Sequence, residues 1–316
     1  WKADYRKLKY ATPPLLILIF LLLIGALLGP ERNGARRWIA FGGFGFQPSE
    51  LAKPVLLMFL AASLAKRGAK LGDFATGVFP YLVISGTFAL LIVFEPDLGT
   101  AALVGAVTIM MLYAAGARVK HLAMLGLAVL PVLYYELFHV GFRAKRLMAF
   151  IDPWQDPLGT GFQTIQSFLA FGGGGLTGLG LGESRQKLLF LPEPHNDFIF
   201  SVIGEELGFI GAIAVMMLFV VFVFIGFRLA VRCNDGMGRL LAFGLTGMIG
   251  LQALINMGVA TGLFPNKGMP LPFISYGGSS VFVMLASVGL LLSVARLNRA
   301  SIRQEDEGLE QALESR

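Results

Sequence analysis

The sequence holds a single cysteine, Cys233, among 316 residues. An internal disulfide is therefore excluded, and without partners the thiol reads as a bystander near a span end rather than a metal ligand. Charge is also scarce. Asp, Glu, Lys and Arg make up 15% of the chain, against about a quarter in ordinary soluble domains, which excludes a soluble globular protein. The net charge of +6 records membrane orientation more simply than affinity for nucleic acid. No phosphate loop is present: Gly172 to Gly175 lack the GxxxxGK(S/T) spacing and follow no strand. Residue 1 is Trp rather than Met and no signal peptide is visible, so the expectation is a chain cut from a longer one.

What the chain has in abundance is apolar length. Hydrophobic residues make up 55%, and the mean hydropathy is +0.70. Runs such as 13–29 and 211–227 approach the roughly 20 residues that cross a bilayer as helix. Backbone groups in lipid must be satisfied within the segment, so these runs are expected to be helices. The fold class is then an all-α polytopic membrane protein. Eight spans are predicted, at about 11–29, 47–65, 74–94, 99–116, 121–140, 198–227, 238–262 and 279–296. Gly204 and Gly208 flank Glu205 and Glu206 in the sixth, marking an irregularity there.

Orientation follows from the lysines and arginines of short loops. With a cytoplasmic N-terminus, fifteen fall inside and four outside, the latter being Arg32, Arg36, Arg37 and Lys267. Both termini of the chain are then cytoplasmic, and residues 141–197 form a long extracytoplasmic loop with interfacial or re-entrant segments. The domain expected is 1–297, followed by an acidic cytoplasmic tail, 298–316.

Four polar clusters stand at span ends. In the first, Gln47-Pro48-Ser49-Glu50 opens a helix, and Lys53 shares a face with Glu50 and is positioned to pair with it. The alternatives are a buried structural ion pair or a substrate role. Arg36 and Arg37 are better placed to meet an anion. In the second, Pro96 breaks one helix and Asp97 caps the next. Two carboxylates, Glu95 and Asp97, at this depth call for a cation or a basic partner. The third is the long loop, where Arg143, Lys145, Arg146, Arg185 and Lys187 supply charge suited to a phosphate-bearing headgroup. It ends in Pro192-Glu193-Pro194-His195-Asn196-Asp197, on the lip of an apolar helix. The fourth, 262–280, reads either as a rigid capping loop or as a headgroup clamp using Lys267, Ser275 and Tyr276. Deeper in, Glu205 and Glu206 are adjacent and face different ways, so at most one needs a buried partner. Gln252 and Asn256, four apart, share a face and are expected to bond between helices.

In this order, NGARRWI, QPSELAK, EPDLGTA, FLPEPHNDFIFSVIGEELG and PLPFISYGGSS resemble the SEDS family (shape, elongation, division and sporulation), nearer its division branch than its elongation branch. The resemblance covers essentially the whole chain and implies ten spans, of which the first two are absent here. It implies a peptidoglycan glycosyltransferase that polymerises lipid II with inversion, undecaprenyl pyrophosphate leaving. Asp197 matches the family's essential aspartate, as base or as orienter of the acceptor. His195 is the alternative base and Glu193 the weaker one. Glu50, Lys53, Asp97 and Lys267 match further polar positions of the family's cavity. A divalent cation, Mg2+ or Mn2+, is conceivable, but no ligand spacing demands it. The implied partners are a class B penicillin-binding protein transpeptidase, other divisome membrane proteins and membrane lipid, with no nucleic acid. Glu95 stands where many relatives have Gln, adding a possible negative charge. The competing readings are a lipid II flippase and a scaffold without chemistry. Against the flippase, no internal repeat is evident.

Overall fold

The computed structural model describes residues 4–31, 35–41, 44–139, 141–186 and 197–314. Eight helices stand where the eight spans are expected. They are α1 (Tyr5–Leu27), α2 (Pro48–Leu64), α3 (Phe79–Phe94), α4 (Leu98–Ala114) and α5 (Val119–Phe138). After the two helices of the long connection, α6 (Gly141–Ile151) and α7 (Phe162–Gly174), come α8 (Ile199–Arg232), α9 (Gly236–Ala260) and α10 (Gly278–Glu314). Five segments are both long and apolar enough to cross a membrane, namely α1, residues 74–94, α8, α9 and the first part of α10. By contrast α2 and α4 have only 17 residues each.

The bundle is built around α9. The apolar window of this helix is 72% buried, against 17% for that of α8, which fixes which helix is core and which faces lipid. The sequence allows this arrangement through small residues. A side chain at Gly226 of α8 would strike Thr246 of α9, so glycine here permits the close approach that membrane helices use in place of a hydrophobic driving force. Helices α2, α4 and α8 pack on α9, while α1 lies on α2 and α3 on α4. Leu56, Leu60, Leu103, Met111 and Leu241 form the shared apolar core.

Three local features depart from the sequence expectation. Residues Ile39–Phe41 and Phe44–Phe46 pair as an antiparallel hairpin (β1, β2) in a stretch whose glycines hide any strand pattern. The segment Gly141–Ile151, expected as loop, is helix α6. The third span begins with a turn of π-helix, Phe74–Val78, before Pro80 enters the regular helix. The irregularity expected in the sixth span is present. At Gly208 α8 adopts φ 67 and ψ −170, a region essentially restricted to glycine. The polar tail does not end the chain's last helix, which runs on to Glu314.

Candidate active site

The second and fourth clusters meet at one end of the bundle. Helix α3 stops at Phe94, and Asp97 caps α4: its Oδ1 accepts from the Thr100 amide at 3.0 Å and its Oδ2 from the Thr100 hydroxyl at 2.9 Å. This is the expected N-cap, which satisfies an amide the helix leaves open. The intervening turn is clamped from outside by Arg37. Its Nε donates to the Glu95 carbonyl and its Nη2 to the Pro96 carbonyl, both at 2.6 Å. The expected basic partner therefore holds the backbone of the turn, and its guanidinium is engaged by protein. Arg36 is exposed.

Glu95 is fully buried, and neither carboxylate oxygen has a hydrogen-bond partner. Burial, reinforced by the neighbouring Asp97 and opposed by Ser49 and Arg37, pushes its carboxyl up to about 8. The shift opposes the added negative charge expected at Glu95, because a desolvated carboxylate is costlier than a carboxylic acid.

Asp97, Lys267, Gly268 and Arg146 line a pocket of about 60 Å³. By volume that is room for about two waters. Arg146 lines it from α6. Lys267 is half-buried, and this desolvation lowers the ammonium from its ordinary value, partly offset by the carboxylate of Asp97. A cation so placed is weakly hydrated and well suited to an incoming anion.

Asp197 lies against the same loop. A Cβ at Gly268 would sit 3.0 Å from its Oδ2, so the 262–277 loop approaches the carboxylate closely at a residue without a side chain. Two anchors fix the position of Asp197. The next residue, Phe198, is 1% exposed and packs on Val259 of α9. The Asn256 Nδ2 donates to the Asp197 carbonyl at 2.9 Å and to the Met269 carbonyl at 2.7 Å. One amide thus ties the start of α8 to the loop that bears Lys267.

Beneath this lies a buried network. Lys53 Nζ donates to Glu50 Oε1 and to Gln252 Oε1, each at 2.8 Å, and Gln252 Nε2 donates to the Pro270 carbonyl at 2.9 Å. Glu50 and Lys53 are 3% and 2% exposed and do not line the pocket. They stand behind it as a paired support for the loop. Gln252 bonds to Lys53 of α2, between helices as expected, whereas Asn256 bonds to the carbonyls of Asp197 and Met269, outside any helix. Ser275 is buried and accepts the Leu271 amide at 2.7 Å, stapling the loop at a distance from the pocket, whereas Tyr276 is exposed.

Of the two acids in α8, Glu205 is buried and accepts from the Ser184 hydroxyl at 2.5 Å and from the Arg185 and Gln186 amides at 3.2 and 3.3 Å. Glu206 is half-exposed. The sequence expectation of one satisfied partner is met, and it is met by the long loop itself. His195 and Glu193 lie outside the described residues, as does the side chain of Arg143. Among the described residues no group of three histidine, cysteine or acidic side chains gathers to hold a metal.

These features define a polytopic, all-helical membrane protein with an acid- and lysine-bearing pocket where several spans end. The comparisons with known proteins sharpen that class. Residues 2–300 match the family model of FtsW, RodA and SpoVE, described as cell cycle protein, and the chain belongs to this family. It is 49% identical over 297 residues to the probable peptidoglycan glycosyltransferase FtsW of Geobacter metallireducens, covering 93% of this chain and 79% of that one. It is 44% identical over 299 residues to stage V sporulation protein E of Bacillus subtilis, covering 94% and 82%. Among solved structures, it matches a chain of a peptidoglycan synthase complex with TM-score 0.77 at 34% identity, covering 94% and 84%. It matches the rod shape determining protein RodA of Thermus thermophilus with TM-score 0.67 at 32% identity, covering 93% and 81%.

Proposed function

We propose that the chain is a peptidoglycan glycosyltransferase that polymerises lipid II at the outer face of the bacterial cytoplasmic membrane. The observation that carries this reading is the seating of Asp197, held by Asn256 and Phe198 against the loop of Lys267. The family membership and the names of the relatives support it.

In the proposed reaction the 4-hydroxyl of the acceptor N-acetylglucosamine attacks the anomeric carbon of the donor N-acetylmuramic acid. The carbon–oxygen bond to the pyrophosphate breaks, configuration inverts, and undecaprenyl pyrophosphate departs. Asp197 takes the hydroxyl proton as general base or orients the hydroxyl. Lys267 and Arg146, at the rim of the pocket, stabilise charge developing on the pyrophosphate. Asp97 holds the turn facing Lys267, and Glu50, Lys53 and Gln252 act as positioning residues.

The division septum is the proposed site of action, with a class B penicillin-binding protein transpeptidase as partner and both chain termini in the cytoplasm. The test is polymerisation of purified lipid II by the protein with its partner. Asp197→Ala is expected to abolish product while leaving the thermal unfolding midpoint near that of the parent. Full activity in that variant would remove Asp197 from the mechanism. Headgroup transfer across vesicles without polymer would favour the flippase, and rescue of a depletion strain by Asp197→Ala would favour the scaffold.

A further inference from the structure

At the end of the bundle away from the pocket, α8 and α10 draw apart above a single polar pin. The Asn298 Nδ2 of α10 donates to the Arg232 carbonyl at 3.0 Å, and its Oδ1 accepts the Asn234 amide at 3.1 Å. This closes the end of α8 and fixes the spacing of the two helices. Next to the pin the helices enclose a groove of about 510 Å³. Its walls are apolar: Ile225 and Leu229 on one side, Leu291 and Leu292 on the other.

The mouth of the groove is cationic. Arg228 and Arg232 stand one turn apart on α8, and Arg299 is on the wall formed by α10. All three are exposed, and no carboxylate among the described residues pairs with any of them. With no carboxylate partner among the described residues, the triad at the end of this apolar furrow is poorly explained as a set of structural ion pairs. It is also poorly explained as orientation charge alone, because orientation needs lysines or arginines near the span ends but does not need them around a cavity.

We propose that this groove is a binding site for an anionic phospholipid, its acyl chain along the apolar walls and its phosphate between Arg228, Arg232 and Arg299. Guanidinium groups suit the role because their forked donors meet phosphate oxygens two at a time. Basic clefts between membrane helices on the cytoplasmic side are the usual setting for such headgroups. The site is separate from the pocket of Asp197 and Lys267, and its occupant is a resident lipid rather than substrate. Since α8 carries Asp197 at its other end, an occupied groove also sets how firmly the lower half of that helix is held against α10.

The test uses the full chain reconstituted in nanodiscs of phosphatidylcholine doped with spin-labelled phosphatidylglycerol, with the motionally restricted label read by electron paramagnetic resonance. Three variants follow the parent: Arg228→Gln/Arg232→Gln/Arg299→Gln, the matching triple lysine variant, and Leu292→Trp, which fills the groove and keeps the charges. The glutamine triple is expected to weaken phosphatidylglycerol retention about a hundredfold, the lysine triple to weaken it less because charge is kept while the forked donors are lost, and Leu292→Trp to lose it. Circular dichroism verifies that each variant is folded, and the single substitutions replace any triple that is not. Equal retention of labelled phosphatidylcholine would overturn the proposal, as would retention unchanged by either the glutamine triple or Leu292→Trp. Competition by inorganic phosphate alone would overturn it too, by showing an anion site that needs no lipid.

Discussion

A carboxyl group buried away from charged partners holds on to its proton. Glu95 is in that condition, and the sign of its effect on stability follows directly. Its folded value is raised above that of the unfolded chain, so its contribution is fully present below about 4.5 and is lost as pH rises through about 8. The midpoint of unfolding in mixed micelles is expected to fall across that window. Glu95→Gln, which has no proton to lose, should flatten the profile and stand above the parent at pH 9. A second residue-scale prediction concerns Gly268. Alanine there places a methyl against the Asp197 carboxylate, so Gly268→Ala should lower lipid II polymerisation by about tenfold to a hundredfold. Its melting point should stay near that of the parent, because residue 268 is exposed.

At the scale of elements, the ends of α8 and α9 carry the site. Asn256→Ala leaves two carbonyls, of Asp197 and Met269, without their donor, which costs roughly 2–4 kcal/mol by chemical denaturation. Activity should fall further than in a core variant of equal instability, since the start of α8 loses its tie to the loop. Gly208→Ala is expected to be worse. Its backbone angles exclude a side chain, and the added methyl would collide with Gly178 and Leu176 of the long loop. Loss of folded protein on gel filtration is the readout. Such elements differ in how legible they were. The kink at Gly208 and the cap at Asp97 follow from local residue types, and so does the Glu50–Lys53 pair at i,i+3. The partner of that pair, Gln252, lies 199 residues away, and no periodicity signals so distant a bond. The hairpin escaped because three-residue strands among glycines have no alternation to read. Helix α6 escaped because its arginines and lysine masked a helical period in a stretch too polar to be a span.

On the scale of the molecule, apolar runs in lipid leave the backbone no choice but helix, which is why the eight helices were legible from composition and length, five of them long and apolar enough to cross a membrane. Which helix became the core was not, since α8 is the more hydrophobic and yet α9 is the one enclosed. Small and amide-bearing residues on α9, among them Gly244, Gly247, Gln252 and Asn256, mark it as the helix that others approach closely. The two 17-residue helices α2 and α4 have a consequence of their own. At about 1.5 Å per residue each is about 26 Å long, some 4 Å short of a typical hydrocarbon layer. Both begin at the pocket end, at Pro48 and Leu98. Helix α2 is almost wholly enclosed by its neighbours and α4 about half so, so their shortness is met by protein rather than by lipid. The end of the bundle where both begin is occupied by the polar turns that carry Arg37, Asp97 and Lys267.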